Sequence, residues 1–225
     1  MSFDPNIERA RFNMIEQQIR PWDVLDPSVL ALLAVVKRED FVPPAYRALA
    51  FMDTEIPLVA SSGARECMLA PKVEARLLQE LAIARHEVVL EIGAGSGCMA
   101  ALLAHRAREV VSLEIDPGLA RFAADNLREA GIHNASVRAM DGVVGLPGEA
   151  PFDAIVLSGS VASVPPALLA QLKIGGRLTA IVGQRPIMRA VRVTRTGEHG
   201  FSSVDLFDTV APRLHGFAEP TRFSL

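Results

Sequence analysis

Three carboxylates and three alternating glycines fall in one part of the chain. In "VVLEIGAGSGCMAALLAHRAREVVSLEID", Val88 to Asp116, an apolar run ends in Glu91, then come Gly93, Gly95 and Gly97. A stretch with helical spacing follows, and a second apolar run ends in Glu114 and Asp116. Asp141 and Gly142 close a third apolar run. Glycines between a strand and a helix let a bare backbone bend tightly and approach a ligand, while the first helical turn offers unpaired N–H groups. Glu114 has the paired acceptors that two neighbouring ribose hydroxyls require. Asp141 is placed to accept from an adenine amino group, or equally to close an ordinary Asp-Gly turn. Asp116, followed by Pro117, carries a helix N-cap signature instead.

The glycines alone do not choose between nucleotides. Gly95-Ser-Gly97-Cys-Met-Ala100 also satisfies the dinucleotide fingerprint, with Glu114 near the ~20-residue spacing of its ribose-binding acid. Glu91 decides the matter: an anion just before the turn opposes a pyrophosphate and suits a ligand with an ammonium and a sulfonium group. S-adenosylmethionine has both, and it is the expected cofactor. Gly142, and Ser158 with Gly159 at the end of "PFDAIVLSGS", leave room at the carboxyl edge of a sheet, where ligands of open α/β folds sit. No metal site is expected: Cys67 and Cys98 stand in unrelated contexts and read as free thiols.

These residues need an α/β frame. The chain has 225 residues and half are hydrophobic, but only 5% are aromatic, which suits aliphatic strands buried between helices. Strands are predicted at Glu87–Ile92, Val110–Ile115, Ser136–Met140, Phe152–Leu157 and Arg177–Val182, with helices at Ser96–Ala107, Pro117–Ala130 and Pro165–Leu172 between them. Such alternation predicts a parallel sheet with right-handed crossovers. From Met188 to Val210 two strand-like runs flank a turn at Thr196–Gly200, an antiparallel hairpin at one sheet edge. Helices are also predicted over Asn6–Arg20, from the Asp26 N-cap to Val36, and from Pro71 to Ile83. Phe51–Ala70 reads as irregular. The expected division is a helical, loop-rich cap over 1–80 and a core over 81–225.

A formal charge of −3 argues against a polyanionic partner such as nucleic acid, and the scattered arginines read as solvated surface. No run reaches the ~18–20 apolar residues of a membrane span, and the charged N-terminus lacks a signal-peptide core, so a cytosolic protein is expected.

"VVLEIGAGSGCMAALLA", "PFDAIVLSGSVASVPPALLAQLKIGGRLTAIVG" and, upstream, "MIEQQI", "VLALLAVVKREDFVPPAY" and "FMDTEIPL" together resemble the protein L-isoaspartate O-methyltransferases, a family of class I S-adenosylmethionine-dependent methyltransferases. The resemblance covers most of the chain and weakens after Gly183. It implies a doubly wound, mostly parallel seven-stranded Rossmann-like sheet, with Glu91, Gly93, Gly95, Gly97, Glu114 and Asp141 holding the cofactor. The implied activity is protein repair by methyl transfer to the carboxylate of an isoaspartyl residue, with Cys67, Met68 and Leu69 in the acceptor pocket. Here the chain departs from the pattern: Leu69 falls on a family serine and Cys67 on a threonine. Ser61 and Ser62 upstream are the candidates to supply a hydroxyl. Two alternatives stay open, a methyltransferase with a more apolar, small-molecule acceptor and a relative that binds the cofactor without turnover.

Overall fold

A computed structural model describes residues 5–59 and 66–219. The N-terminal segment starts as helix α1 (Pro5–Met14), widens into a π-helical turn over Ile15–Ile19 and tightens into a 3₁₀ turn at Arg20–Trp22. One continuous helix to Arg20 was expected. Pro21 instead sits inside the tight turn, and Asp23 follows with a φ of 59°. Helix α2 (Pro27–Val35) begins as predicted, Asp26 accepting from the Ser28 N–H at 2.8 Å. The stretch expected to be irregular holds a small antiparallel ribbon, β1 (Ile56–Pro57) against β2 (Cys67–Met68). Strands of two residues leave no period to read in a sequence. Helix α3 (Pro71–Leu81) follows.

The remaining elements are β3 (Val88–Ile92), α4 (Cys98–Ala104), β4 (Glu109–Glu114), α5 (Pro117–Glu129), β5 (Ala135–Ala139), β6 (Phe152–Val161), α6 (Pro166–Leu169), β7 (Leu172–Gln184), β8 (Ile187–Arg195) and β9 (Phe201–Thr209). They form one seven-stranded sheet in the order β5-β4-β3-β6-β7-β8-β9. The strands from β5 to β7 are parallel, and β8 and β9 add the predicted hairpin antiparallel at the edge. Several boundaries differ from expectation: α4 is shorter than the helix predicted over Ser96–Ala107, and β6 continues past Leu157 to Val161. α6 ends at Leu169 because Leu172 already pairs with Phe152, and β7 then bulges through Gly175 and Gly176 before pairing resumes at Ala154 and Arg177. Gln171, read as helix, turns inward to hold the Leu146 N–H and the Val144 carbonyl.

Side-chain alternation divides the sheet's faces. Val89, Val110, Ala154 and Val156 join α3, α4 and the N-terminal elements in one apolar cluster, so the N-terminal segment and the sheet share a core. Leu90, Ile92, Leu113, Ile155 and Leu178 form the second cluster on the opposite face. Strand period puts Glu91 on the first face, beneath the N-terminal elements, among aliphatic neighbours. The chain order reverses beside β3, between β4 and β6, which opens a crevice beyond the carboxyl ends of these strands.

Candidate active site

The turn after β3 is tied to β4 before any ligand is considered. Gly93 and Ala94 donate to the Leu113 carbonyl at 2.8 and 3.2 Å, and the Gly95 N–H donates to Glu114 Oε2 at 2.9 Å. Glu114 Oε1 accepts from the Asp116 N–H at 3.1 Å, so the buried carboxylate closes two backbone turns and keeps its remaining lone pairs for hydroxyls. The glycines do different work. Gly93 has a φ of +90° and faces the crevice, where an added Cβ would meet Leu214 Cδ2 at 2.7 Å. Gly97 (φ +84°) faces α5, and its missing side chain lets the Ala123 carbonyl approach where a Cβ would stand 3.0 Å away. Gly97 therefore serves helix packing and lies apart from the crevice.

A cavity of about 70 Å³ occupies the crevice, with Gly93, Gly95 and Glu114 on one side and Leu58, Cys67 and Leu69 from the N-terminal side on the other. Gly142 and Ser158 also line it, as do the apolar Ile115, Leu119 and Phe217 near Glu114. Asp141 does not: it is exposed and accepts from the Val143 N–H at 2.9 Å, which is the turn role. Met68 is 3% exposed and lies behind Cys67 and Leu69 with Glu91, lining a smaller cavity of about 20 Å³ under the glycine turn. Ser61 and Ser62 lie outside the described residues. Asp116 caps α5, accepting from the Gly118 and Leu119 N–H groups at 2.7 and 2.9 Å.

Glu91 is wholly buried. Ser112, its register partner on β4, donates to Oε2 at 2.5 Å, and Ser158 on β6 donates to Oε1 at 2.7 Å. Burial pushes the carboxyl up to about 8 against the pull of both hydroxyls, and the nearby Glu74 and Glu114 add to the rise. Burial, then Glu55, pushes the Cys67 thiol up to about 12, and Cys98 is raised as well, so neither thiol is poised as a nucleophile.

Two features escape sequence reasoning. Arg38 is buried, pairs with Glu74 of α3 and donates to the Leu69 carbonyl at 2.7 Å, fixing from behind the wall that Leu69 forms. The segment after β9 returns across the crevice: Ser160 and Leu214 exchange backbone bonds with Pro212 and Ser160 at 2.7 and 2.9 Å, and His215 meets Glu66 at 3.1 Å. This strap inserts the Leu214 side chain between Gly93 and Gly159. A proline and glycine after the last strand were the only signals of it. Among the described residues no group of three or more His, Cys, Asp or Glu side chains is placed to hold a metal, and no helix is long and apolar enough to cross a membrane.

A bare-backbone cradle at the switch of a parallel sheet, an acid at the end of the neighbouring strand and an edge hairpin define a class I, S-adenosylmethionine-dependent methyltransferase. The residues fit that cofactor: Glu114 has spare acceptors, and Ile115, Leu119 and Phe217 offer apolar surface to a base. The family model described as Protein-L-isoaspartate(D-aspartate) O-methyltransferase matches residues 9–209, and the chain belongs to this family. A protein-L-isoaspartate O-methyltransferase of Rhodopseudomonas palustris is 41% identical over 196 residues, covering 87% of this chain and 88% of that one. One of Methanoculleus marisnigri is 40% identical, covering 87% and 86%. Among solved structures, a protein-L-isoaspartate O-methyltransferase superposes with a TM-score of 0.77 at 20% identity, over 93% of this chain and 66% of that one. A putative one from Plasmodium falciparum, in complex with S-adenosyl-L-homocysteine, gives 0.74 at 20% identity, over 94% and 99%. The nicotinamide alternative is thereby set aside.

Proposed function

We propose that this chain transfers a methyl group from S-adenosylmethionine to the free carboxylate of an isoaspartyl residue in a peptide or protein. One observation carries the reading: the cradle of Gly93, Gly95 and Glu114 and the wall of Leu58, Cys67 and Leu69 face the same cavity, so donor and acceptor would meet across one crevice. When bound, the cofactor supplies an electrophilic methyl group on a positively charged sulfur. Glu114 would hold the ribose hydroxyls, the glycine backbone would let the chain of the donor pass close, and Ile115, Leu119 and Phe217 would flank the base.

An isoaspartyl carboxylate is ionised near neutral pH and needs no general base. The protein's task is alignment and exclusion of water, and holding two reactants in line is worth ~7–11 kcal/mol of barrier. The apolar Leu58, Leu69, Leu214 and Phe217 exclude water. On the acceptor side Arg213 lines the cavity and has a buried Nη1 with no partner in the structure, while its other nitrogens hold Glu219 and the Gly183 carbonyl. That free N–H suits a carboxylate. The apolar character of the wall at Leu69 also favours a second reading, an acceptor less polar than an isoaspartyl peptide.

Transfer of labelled methyl from S-adenosylmethionine to a synthetic isoaspartyl peptide, with the aspartyl peptide as control, tests the proposal. Selective formation of a base-labile ester is expected. Cofactor binding without transfer to either peptide would rule out the isoaspartyl acceptor and turn the search to apolar molecules.

A further inference from the structure

The carboxyl group of Glu91 lies in an environment that disfavours its charge. Both oxygens lie against serine hydroxyls alone, either of which can donate to the carboxylate or turn to accept the proton of the neutral acid, and none of the described ion pairs includes Glu91. The titratable groups facing it come from every neighbouring element: Glu74 on α3, Glu114 on β4, the Cys98 thiol at the start of α4 and the Cys67 thiol of β2. The one cation in this group is Arg38, already committed to Glu74 and the Leu69 carbonyl, with Cys98 Sγ at 3.9 Å. Glu74, also buried, thus takes the one arginine nearby, and Glu91 has no cation of its own. A buried carboxylate without a counter-charge is disfavoured against its protonated form.

The same carboxyl lies directly under the ligand cradle. The small cavity beside it is lined by Leu69, Gly93, Gly95, Ser96 and Ser158, four of which belong to the glycine turn and its flanking strand end. Any positive charge placed over that turn becomes the missing counter-charge for Glu91. We infer that Glu91 is protonated in the free protein and releases its proton to solvent when a cationic donor occupies the glycine turn, so that donor binding is coupled to proton release. The inference rests on the cofactor reading above. Its balance is simple: the O–H bond of the carboxyl breaks, the proton passes to buffer, and the carboxylate is neutralised by the arriving cation. A buried acid that holds a proton until the right charge arrives also discriminates, because an uncharged analogue gains nothing from ionising it.

Calorimetric titration of the full chain with S-adenosylmethionine at pH 7, in two buffers of different ionisation enthalpy, counts the protons. The ligand's own amino group titrates with a pKa near ~8, so the informative quantity is the difference between the wild type and Glu91→Gln. The wild type is expected to release about one proton more per donor bound than Glu91→Gln. Its affinity should rise up to about tenfold per pH unit from pH 6 and level off above pH 8, beyond any slope in the variant. If Glu91→Gln fails to fold, Ser112→Ala gives the same information: losing a hydroxyl that favours the ionised form should move the levelling point to higher pH. Donor binding with equal proton counts in wild type and Glu91→Gln, or a Ser112→Ala profile that does not move, would overturn the inference and leave the cofactor reading standing. Absence of donor binding by the wild type would overturn both.

Discussion

Glu87 and Glu91 stand at opposite ends of one short strand, and the protein treats them in opposite ways. At the amino end, Arg177 donates to both oxygens of Glu87 at 2.5 and 2.7 Å and also binds the Leu81 and Ala82 carbonyls. Burial works against ionisation there, but the hydrogen bonds from Arg177 and the Ala84 N–H, with the guanidinium charge, hold Glu87 below its ordinary value. Asp153 beside it is lowered in the same manner: burial opposes the charge, and Lys173 and the Val88 N–H outweigh it. At the carboxyl end no cation reaches Glu91, and it is raised. At the amino end of β3 the carboxylates of Glu87 and Asp153 have cations; at the carboxyl end, beside the crevice, the buried Glu91 has none.

The strongest way to break that contrast is Arg177→Met, which makes Glu87 resemble Glu91. Removing one partner of a buried pair costs roughly 3 kcal/mol. Glu87 contributes stability that is present above its unfolded value near ~4.3 and is lost as pH falls through its lower folded value. The loss in Arg177→Met should therefore be largest at pH 8 and smaller at pH 4, as urea unfolding at both would show; an equal loss at both would assign Arg177 to carbonyl bonding alone.

The contrast sharpens with Glu91→Gln, for which the sign reverses. A carboxyl whose folded value is raised contributes fully below the unfolded value, and that contribution fades as pH rises towards about 8. Glu91→Gln should gain on the wild type by a few kcal/mol between pH 5 and pH 9 in thermal or urea unfolding. A difference that stays constant with pH would mean that Glu91 is charged throughout. The smallest effects separate ligand from scaffold at the end of β4. Glu114→Ala should weaken donor binding by ~1–3 kcal/mol, while Asp116→Ala should cost about 1 kcal/mol of stability and leave donor affinity unchanged by calorimetry.

Much of this was legible in sequence because it is local. The Asp26 and Asp116 caps, the glycine turn and the edge hairpin each depend on a few adjacent residues, and each stands where its pattern indicated. What stayed hidden depends on distance. Arg38 with Glu74 and Arg11 with Glu39 are buried pairs whose members look like any surface charge until the chain folds. Gln171 lies in a run that reads as helix, yet its neighbour Leu172 is claimed by pairing to Phe152. Asp141 satisfied two patterns, and its carboxylate accepts from the Val143 N–H as a turn requires while keeping acceptors to spare. Glu91 was readable as an acid before the glycines, but its protonation depends on two serines and on an arginine already engaged elsewhere.

The strap from Ala211 to Phe217 gives the chain a ligand of its own. Leu214 reaches the crevice on a tether, so its local concentration is set by chain length and does not fall on dilution. The crevice at Gly93 and Gly159 is thus walled by a side chain from beyond β9 and not from β3 or β6. The crevice therefore depends on contacts outside its own glycine turn: Ser160 through its backbone and its hydroxyl, Gly183 through Arg213, and Glu66 through His215 keep the strap in place.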